Sequence, residues 1–308
     1  MVHLTFGKQS NSLCPPSELQ ARLSQFRKLT AGSYGEIMIA YDAHLQTEVV
    51  VKRLARGADV QQQQRIDNEI EACTKGKGVP GIIPFHGWYQ TTEHYCLVFD
   101  YVKGGDMYVF LEQRKFSPVT EETVKKLFRR IVKSLLFMHR NGIAHKDIKL
   151  ENVRREDETF KLINLQVLID KKANMATLID FGLCNIFDPK AFPHEELSMD
   201  FSGSKEYCAP EILSGRPFRP TKADVWSLGV TIFANLFGVF PFSKRHRKDA
   251  QGNIRLEINF PHSDTTLVSS AARDLLSQML DNDPMTRISM SGVKNHAWLK
   301  KKSPLVFW

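Results

Sequence analysis

The sequence lacks features that define several large classes of protein. No stretch approaches the roughly 18–20 consecutive apolar residues that a membrane helix needs, and residues 1–16 contain no continuous apolar segment. We therefore expect neither a membrane span nor a secretory signal. Cysteine is scarce: the five cysteines are odd in number, scattered, and never arranged as C-x-x-C. This usage predicts no disulfide framework and no zinc site, and a location in the cytoplasm or the nucleus.

The composition is otherwise that of a globular protein. The 308 residues are 42% hydrophobic and 25% charged, and this length allows one large domain or two lobes. The net charge of +8 suits nucleic acid, an acidic surface or an anionic ligand such as a nucleotide. No helix-turn-helix, RNA-binding or zinc-finger pattern accompanies the basic residues, so we predict no nucleic-acid partner.

The hydrophobic pattern changes along the chain. Between about residues 25 and 100, short runs rich in Val, Ile, Tyr and Phe predict strands, namely FRKL, EIMIAY, EVVVKRL and YCLVFDY, with one helix, QQQQRIDNEIEAC, among them. After Gly104 and Gly105, the segments 121–140, 222–238 and 269–280 have a helical period. These patterns predict a domain over residues 21–299, preceded by a flexible arm (1–20) and followed by a basic, aromatic tail (300–308). Its fold would be α+β, with a small β-rich lobe that carries one helix (25–100) and a larger helical lobe (104–299).

An ordered set of motifs carries the chemistry. HKDIKLEN covers residues 145–152, DFG covers 180–182 and APE covers 209–211, while a VVVK strand ends at Lys52 and Glu69 lies on the predicted helix. In this order they resemble the motifs of the eukaryotic protein kinases, over residues 26–299. The resemblance implies a bilobal kinase fold with ATP and Mg²⁺ between the lobes, and protein substrates phosphorylated on Ser or Thr. Within the family, the chain resembles basophilic branches such as the calcium/calmodulin-dependent and cAMP-dependent kinases.

The resemblance also implies roles for single residues. Asp147 would orient the substrate hydroxyl, and Lys149, which marks the Ser/Thr type, would offset charge on the transferring phosphoryl group. Asn152 and Asp180 would supply oxygen ligands to Mg²⁺. Ser204 would contact the catalytic aspartate and lysine. Two further expectations are structural: Asp224 would hold the backbone of the catalytic loop, and Arg287 would pair with Glu211.

The nucleotide-binding residues implied by the resemblance lie mostly in the first hundred residues. They are Thr30, Gly32, Gly35, Ile37, Val50, Lys52, Glu69, Phe99, Asp100, Val102, Asp106 and Asp180. Thr30 replaces the first glycine of the phosphate loop, and Val50 replaces the small residue above adenine. Asp106 would contact ribose or a basic substrate residue. With Glu151 and Glu206 it would select arginines upstream of the phosphoacceptor, unless these acids are merely solvated.

Two departures from the family pattern stand out. Lys146 replaces an arginine that often binds an activation-loop phosphate, and lysine is a poorer ligand for phosphate. We therefore hypothesise that activity depends less on phosphorylation of that loop, in which Ser198 and Ser202 are candidate sites. The second departure is an apparent insertion of residues 154–167 after Asn152, which is a surface loop, a regulatory element or a gene-model artefact. If the insertion begins after residue 153, Leu168 rather than Arg154 would lie under adenine.

The alternative to an active kinase is a pseudokinase scaffold that keeps the fold and regulates partners without turnover. The altered glycine loop and the insertion favour it, whereas the presence of every polar catalytic residue favours an enzyme. We expect a monomer.

Overall fold

The computed structural model describes residues 15–32, 35–56, 59–102, 106–150, 153–156, 159–162, 167–170, 175–242, 247–261 and 268–300. The chain separates into two compact units. The first unit comprises Met1–Gly57 and Pro84–Tyr101, and the second comprises Ala58–Ile83 and Val102–Trp308. In the described part of the chain, no helix is long and apolar enough to cross a membrane.

The first unit is an antiparallel sheet of five strands with one short helix. The helix is α1 (Pro16–Ala21), and the strands are β1 (Leu23–Gly32), β2 (Gly35–Asp42), β3 (Thr47–Ala55), β4 (Phe85–Gln90) and β5 (His94–Asp100). Their order across the sheet is β1-β2-β3-β5-β4. The four strands predicted from sequence are confirmed, and β4 is an additional strand that the sequence analysis did not predict.

One face of this sheet packs on α1 and forms the core of the first unit. Its members alternate along the strands, as burial of one face of a sheet requires; they are Leu19, Leu23, Ala40, Val49, Val51, Tyr89, Cys96 and Val98. Leu19 of α1 is fully buried, which contributes about 1.5–3 kcal/mol relative to an exposed leucine. The residues between these core positions on β3, including Val50 and Lys52, therefore lie on the opposite side of the sheet.

The second unit is mainly helical. Its helices are α2 (Val60–Lys75), α3 (Met107–Gln113), α4 (Glu121–Arg140), α5 (Pro210–Leu213), α6 (Pro220–Phe237), α7 (Ser270–Met279) and α8 (Met290–Asn295). Its short strands are β6 (Ile143–Ala144), β7 (Val153–Glu156), β8 (Thr159–Leu162), β9 (Val167–Asp170), β10 (Met175–Leu178), β11 (Asn185–Ile186), β12 (Arg247–Lys248) and β13 (Ile254–Arg255). The three predicted helices are confirmed as α4, α6 and α7.

The sequence dictates α4 and α6 in different ways. Helix α4 is amphipathic: it begins with Glu121 and Glu122 and ends with His139 and Arg140, which complements the helix dipole at both ends. Helix α6 is buried along almost its whole length, so it shows little periodicity and forms the centre of the unit.

Helix α2 belongs to the helical unit, whereas the sequence analysis placed it in the β-rich lobe. The reason lies in the segment that follows α2. The Pro80 carbonyl accepts a hydrogen bond from Ser134 Oγ of α4 at 2.8 Å. Gly81 and Ile83 bond through their backbone to Leu178 of β10. These bonds fix the end of the α2 segment to the helical unit.

The insertion contains a β-hairpin. Strands β7 and β8 pair antiparallel from Val153–Leu162 to Glu156–Thr159, and β9 then pairs with β10, with Leu168 opposite Thr177. Apart from the insertion, the sequence LENV followed by LIDKKANMATLIDFG is similar to the ordinary strand pair of the kinases, and the pairing of β9 with β10 is consistent with it. Side chains of the hairpin and of β9 lie outside the described part, so the placement of Leu168 under adenine stays a prediction.

Candidate active site

Five of the predicted nucleotide-binding residues of the first unit share one face of its sheet. Directly opposed residues of antiparallel strands point to the same side, and Thr30 pairs with Ile37, Ile37 with Lys52, and Val50 with Phe99. Val50 and Lys52 are two residues apart on β3 and so point the same way. These five positions therefore lie on the face opposite to the α1 core.

The first residue of β2 lies very close to the backbone of the neighbouring strand β3. Gly32 and Gly35 are paired at the ends of the two strands, and residues 33–34 lie outside the described part. Gly35 has φ of +135°, and a Cβ there would come within 2.3 Å of the Arg53 carbonyl oxygen. Only glycine fits this position, because any side chain would meet both a strained φ and a backbone atom. Thr30, the residue at the first glycine position, is buried.

The resemblance to the kinases implies a hinge after Phe99, where the backbone of residues 100–102 would face adenine. Asp100 bonds through its backbone N–H to the Pro84 carbonyl at 3.0 Å, and its carboxylate lies 2.6 Å from His86 Nε2. Val102 is half-buried and belongs to the second unit. The side chain and the backbone N–H of Asp100 are thus occupied, and the contact of residues 100–102 with adenine stays a prediction.

Asp106 caps helix α3 from a buried position. The carboxylate accepts a hydrogen bond from the Val109 N–H at 2.8 Å, and the residue is only 1% exposed. Burial raises the pKa of Asp106 to about 6, although hydrogen bonds from backbone N–H groups lower it in part. Its second carboxylate oxygen has no hydrogen-bond partner among the described residues. Such burial does not favour a contact with a substrate arginine, and the roles of Asp106 stay predictions.

In the second unit, one buried carboxylate holds the catalytic loop. Asp224 of α6 accepts hydrogen bonds from the backbone N–H of His145 at 2.8 Å and of Lys146 at 2.7 Å, which confirms the predicted role. Its Oδ2 also lies 2.8 Å from His139 Nε2 on α4, a partner that the sequence analysis missed. Three elements of the unit are thereby tied to one side chain.

Lys149 contacts both Asp147 and Ser204, so the predicted contact of Ser204 with the catalytic lysine is confirmed, while its contact with Asp147 stays a prediction. The Lys149 ammonium donates to Asp147 Oδ2 at 2.7 Å and to Ser204 Oγ at 2.9 Å. The neighbouring Gly203 has φ of +117°, and a Cβ there would lie 3.2 Å from the Lys146 carbonyl oxygen. The segment that carries Ser204 therefore lies directly against the catalytic loop.

Asp180 is placed beside the same loop through its neighbours in the sequence. His145 Nε2 lies 3.1 Å from the Ile179 carbonyl oxygen, and the His145 ring packs on Phe181 at 4.8 Å. Asp180 itself has φ of +63°, as Lys146 has φ of +67°. Non-glycine residues held in this region are rare and cluster at functional sites.

A carboxylate such as that of Asp180 suits Mg²⁺, which commonly binds through one or two carboxylates together with substrate phosphates. Asn152, the second predicted ligand, lies outside the described residues. Among those that are described, no cluster of three or more His, Cys, Asp or Glu could hold a metal ion. The binding of Mg²⁺ by Asp180 and Asn152 stays a prediction.

Lys52 and Glu69 lie on separate units. Lys52 is buried on β3, and Glu69 is buried on α2, on the face that also carries Ile66 and Cys73. The helical period of the sequence predicts this orientation of Glu69, which is confirmed. The resemblance to the kinases also implies an ion pair between Lys52 and Glu69, and that pair stays a prediction.

The predicted pair of Arg287 and Glu211 is present and fully enclosed. The guanidinium donates to Glu211 Oε1 at 2.7 Å and to Oε2 at 2.8 Å, a bidentate arrangement. It also donates to the Asp281 carbonyl at 2.9 Å and packs on the Trp226 ring at 5.0 Å.

The model for the protein kinase domain matches residues 23–299. The chain belongs to the protein kinase family. This membership confirms the family and the bilobal fold class predicted from the motifs.

Curated relatives of this kinase domain are named as serine/threonine kinases or are members of kinase families. It is 30% identical over 272 residues to the probable serine/threonine-protein kinase KIN1 homolog of Enterocytozoon bieneusi, covering 88% of this chain and 41% of that protein. It is 28% identical over 283 residues to NUAK family SNF1-like kinase 1 of Homo sapiens, covering 91% and 39%. It is 28% identical over 298 residues to CBL-interacting serine/threonine-protein kinase 7 of Arabidopsis thaliana, covering 96% and 64%. The chain thus spans about two-fifths of the length of the first two relatives.

Proposed function

We propose that this chain is an ATP-dependent protein serine/threonine kinase, which transfers the γ-phosphoryl group of Mg-ATP to Ser or Thr hydroxyls of protein substrates. The observation that carries the proposal is the contact of Lys149 with both Asp147 and Ser204. A carboxylate and an ammonium 2.7 Å apart provide an acceptor for a hydroxyl proton beside a positive charge for the transferring group. Family membership and the names of the relatives support the same activity.

Each residue would act by orientation or charge. Asp147 would accept the hydrogen bond of the substrate hydroxyl and aim its oxygen, and Lys149 would stabilise negative charge on the phosphoryl oxygens. Asp180, with Asn152, would hold Mg²⁺, which when bound neutralises charge on the nucleotide phosphates. Asp224 would keep Asp147 in place through the two backbone N–H groups that it binds.

The test is transfer of radiolabelled phosphate from Mg-ATP to a mixed pool of basic Ser/Thr peptides. Wild-type protein should transfer label, and Asp147→Asn should lose transfer by about 10²–10³-fold, as removal of one preorganised catalytic group does. Asp188→Asn is the matched control, because Asp188 is an exposed aspartate whose carboxylate only caps a short 3₁₀ helix, Pro189–Ala191.

Equal background from wild type and Asp147→Asn, with both proteins folded, would contradict the proposal and favour the pseudokinase.

The same assay with a peptide library tests the further proposal that substrates carry upstream arginines. Glu206, exposed two residues after Ser204, supports that preference. An absence of arginine preference at the −2 and −3 positions would remove it. We also propose a monomer in the cytoplasm or nucleus, which light scattering and fractionation would check.

A further inference from the structure

Lys146, the residue before Asp147, has a buried ammonium that requires an anion. Its side chain is only 2% exposed. Its Nζ donates to Asp200 Oδ2 at 2.6 Å and lies 6.0 Å from the centre of the Phe218 ring. An ammonium withdrawn from water is costly unless it is paired, so Asp200 is the group that makes this position of Lys146 tolerable.

Asp200 reaches Lys146 from a segment at the surface. The Ser198 backbone pairs in both directions with Phe218, which anchors this segment. The side chains of Leu197, Met199 and Phe201 are exposed, and that of Asp200 is itself 48% exposed. The ion pair therefore joins a half-exposed carboxylate to a buried ammonium.

Two serines form hydrogen bonds with Asp200, one with its backbone and one with its carboxylate. The Asp200 N–H donates to Ser198 Oγ at 3.2 Å, and Ser202 Oγ donates to Asp200 Oδ2 at 3.3 Å. Although burial alone would raise the pKa of Asp200, the hydrogen bond and charge of Lys146 hold it below its usual value. The carboxylate is therefore ionised at neutral pH.

Three successive contacts join this segment to the catalytic loop. Asp200 binds Lys146, the Gly203 backbone lies against the Lys146 carbonyl, and Ser204 accepts from Lys149. Two of the three involve Lys146, whose backbone is continuous with Asp147. A shift of Lys146 would displace both Asp147 and the segment that carries Ser204.

We propose that Asp200 is a positioning residue for phosphoryl transfer: its carboxylate fixes Lys146 and so holds Asp147 and the 198–204 segment in the active arrangement without phosphorylation of that segment. The proposal rests on the proposed kinase function. It gives a structural basis for the hypothesis that the lysine at position 146 reduces dependence on phosphorylation, because the negative charge is encoded in the chain.

The activity test uses the 308-residue chain, dephosphorylated by a phosphatase and checked by intact mass. Dephosphorylated wild type should keep its rate, whereas Asp200→Asn should lower kcat roughly tenfold or more, with little change in KM for ATP, because orientation rather than ground-state binding is lost. Asp200→Glu should restore most of kcat, since it keeps the charge. Lys146→Met should resemble Asp200→Asn, and the double variant should be no worse than either single one. Asp188→Asn is again the control.

Three results would overturn the proposal: an Asp200→Asn rate within twofold of wild type, a fall of the wild-type rate on dephosphorylation, or additive losses in the double variant. A second readout separates this failure from failure of the proposed function. Acetylation of lysines followed by mass spectrometry should find Lys146 protected in wild type, exposed in Asp200→Asn and still protected in Asp188→Asn, with surface Lys126 as the internal standard. If wild type transfers no phosphate, the kinase function fails, and unchanged labelling of Lys146 would in addition refute the ion pair.

Discussion

The enclosed pair of Arg287 and Glu211 allows a quantitative prediction about stability. Arg287→Met removes the guanidinium and keeps an unbranched side chain of similar length, so the loss is chiefly one of charge and hydrogen bonds. The Glu211 side chain, 3% exposed, is then left as a buried anion without its partner. Breaking one half of such a pair typically costs about 3–5 kcal/mol.

The expected change in melting temperature follows from that cost. For 150–250 residues, 1 kcal/mol corresponds to about 2–4 °C, so Arg287→Met should lower the Tm by roughly 6–20 °C. Differential scanning calorimetry is the assay, with urea unfolding followed by circular dichroism as a second measure. The control is Arg247→Met, since Arg247 pairs with Glu257 at 3.4 Å with both side chains largely exposed. That variant should show no measurable shift.

The double variant Arg287→Met/Glu211→Gln tests the reasoning. If the cost arises from an uncompensated buried charge, removing that charge as well should recover at least half of the lost Tm. A double variant as unstable as Arg287→Met would refute this explanation. The loss would then belong to the packing of the guanidinium on Trp226 and to its bonds with backbone carbonyls.

Two further predictions concern backbone and pH. Gly35→Ala should destabilise the fold more than Gly252→Ala in thermal unfolding: both have positive φ, but a Cβ at Gly35 would meet the Arg53 carbonyl and one at Gly252 meets nothing within 4 Å. Equal losses would contradict the close approach. The raised pKa of Asp106, about 6 against 3.8, means that the folded chain keeps a proton that the unfolded chain has released between about pH 4 and 6. The free energy of unfolding should therefore fall by about 3 kcal/mol as pH rises through this window. Asp106→Asn, which keeps the helix cap, should remove that fall; urea titrations at pH 4.5 and 7.5 that show the same pH dependence in both proteins would contradict it.

The elements with strong local signals were predictable from the sequence. Helix α4 was predicted as 121–140 and is Glu121–Arg140, because its apolar period is sustained over 20 residues. Strand β4 was not predicted: FHGWYQ contains Gly87 with φ of +141° and an irregular register between Phe85 and Gly87, which weakens the two-residue alternation. The hairpin of β7 and β8 was missed for a similar reason, since VRRE and TFKL are short and partly charged.

Among the polar residues, those within a motif were predictable from the sequence, whereas a contact between residues far apart in the sequence was not. Asp147, Lys149, Asp180 and Asp224 were found because each lies within a motif. Asp200 was missed, because its bond to Lys146 spans 54 residues of sequence and no motif marks it. Pairings between distant residues of this kind depend on the folded chain, and local patterns carry no record of them.

The lysine at position 146 and the aspartate at position 200 are better understood together than as separate departures. An arginine fork is suited to an anion that offers two oxygens to it. Asp200 offers one: Oδ2 accepts from Lys146, while Oδ1 faces Arg65 of α2 at 3.9 Å. That second contact is long and half-exposed and contributes little alone. A compact ammonium is the cation that matches a single carboxylate oxygen, so the loss of arginine does not by itself indicate a loss of function.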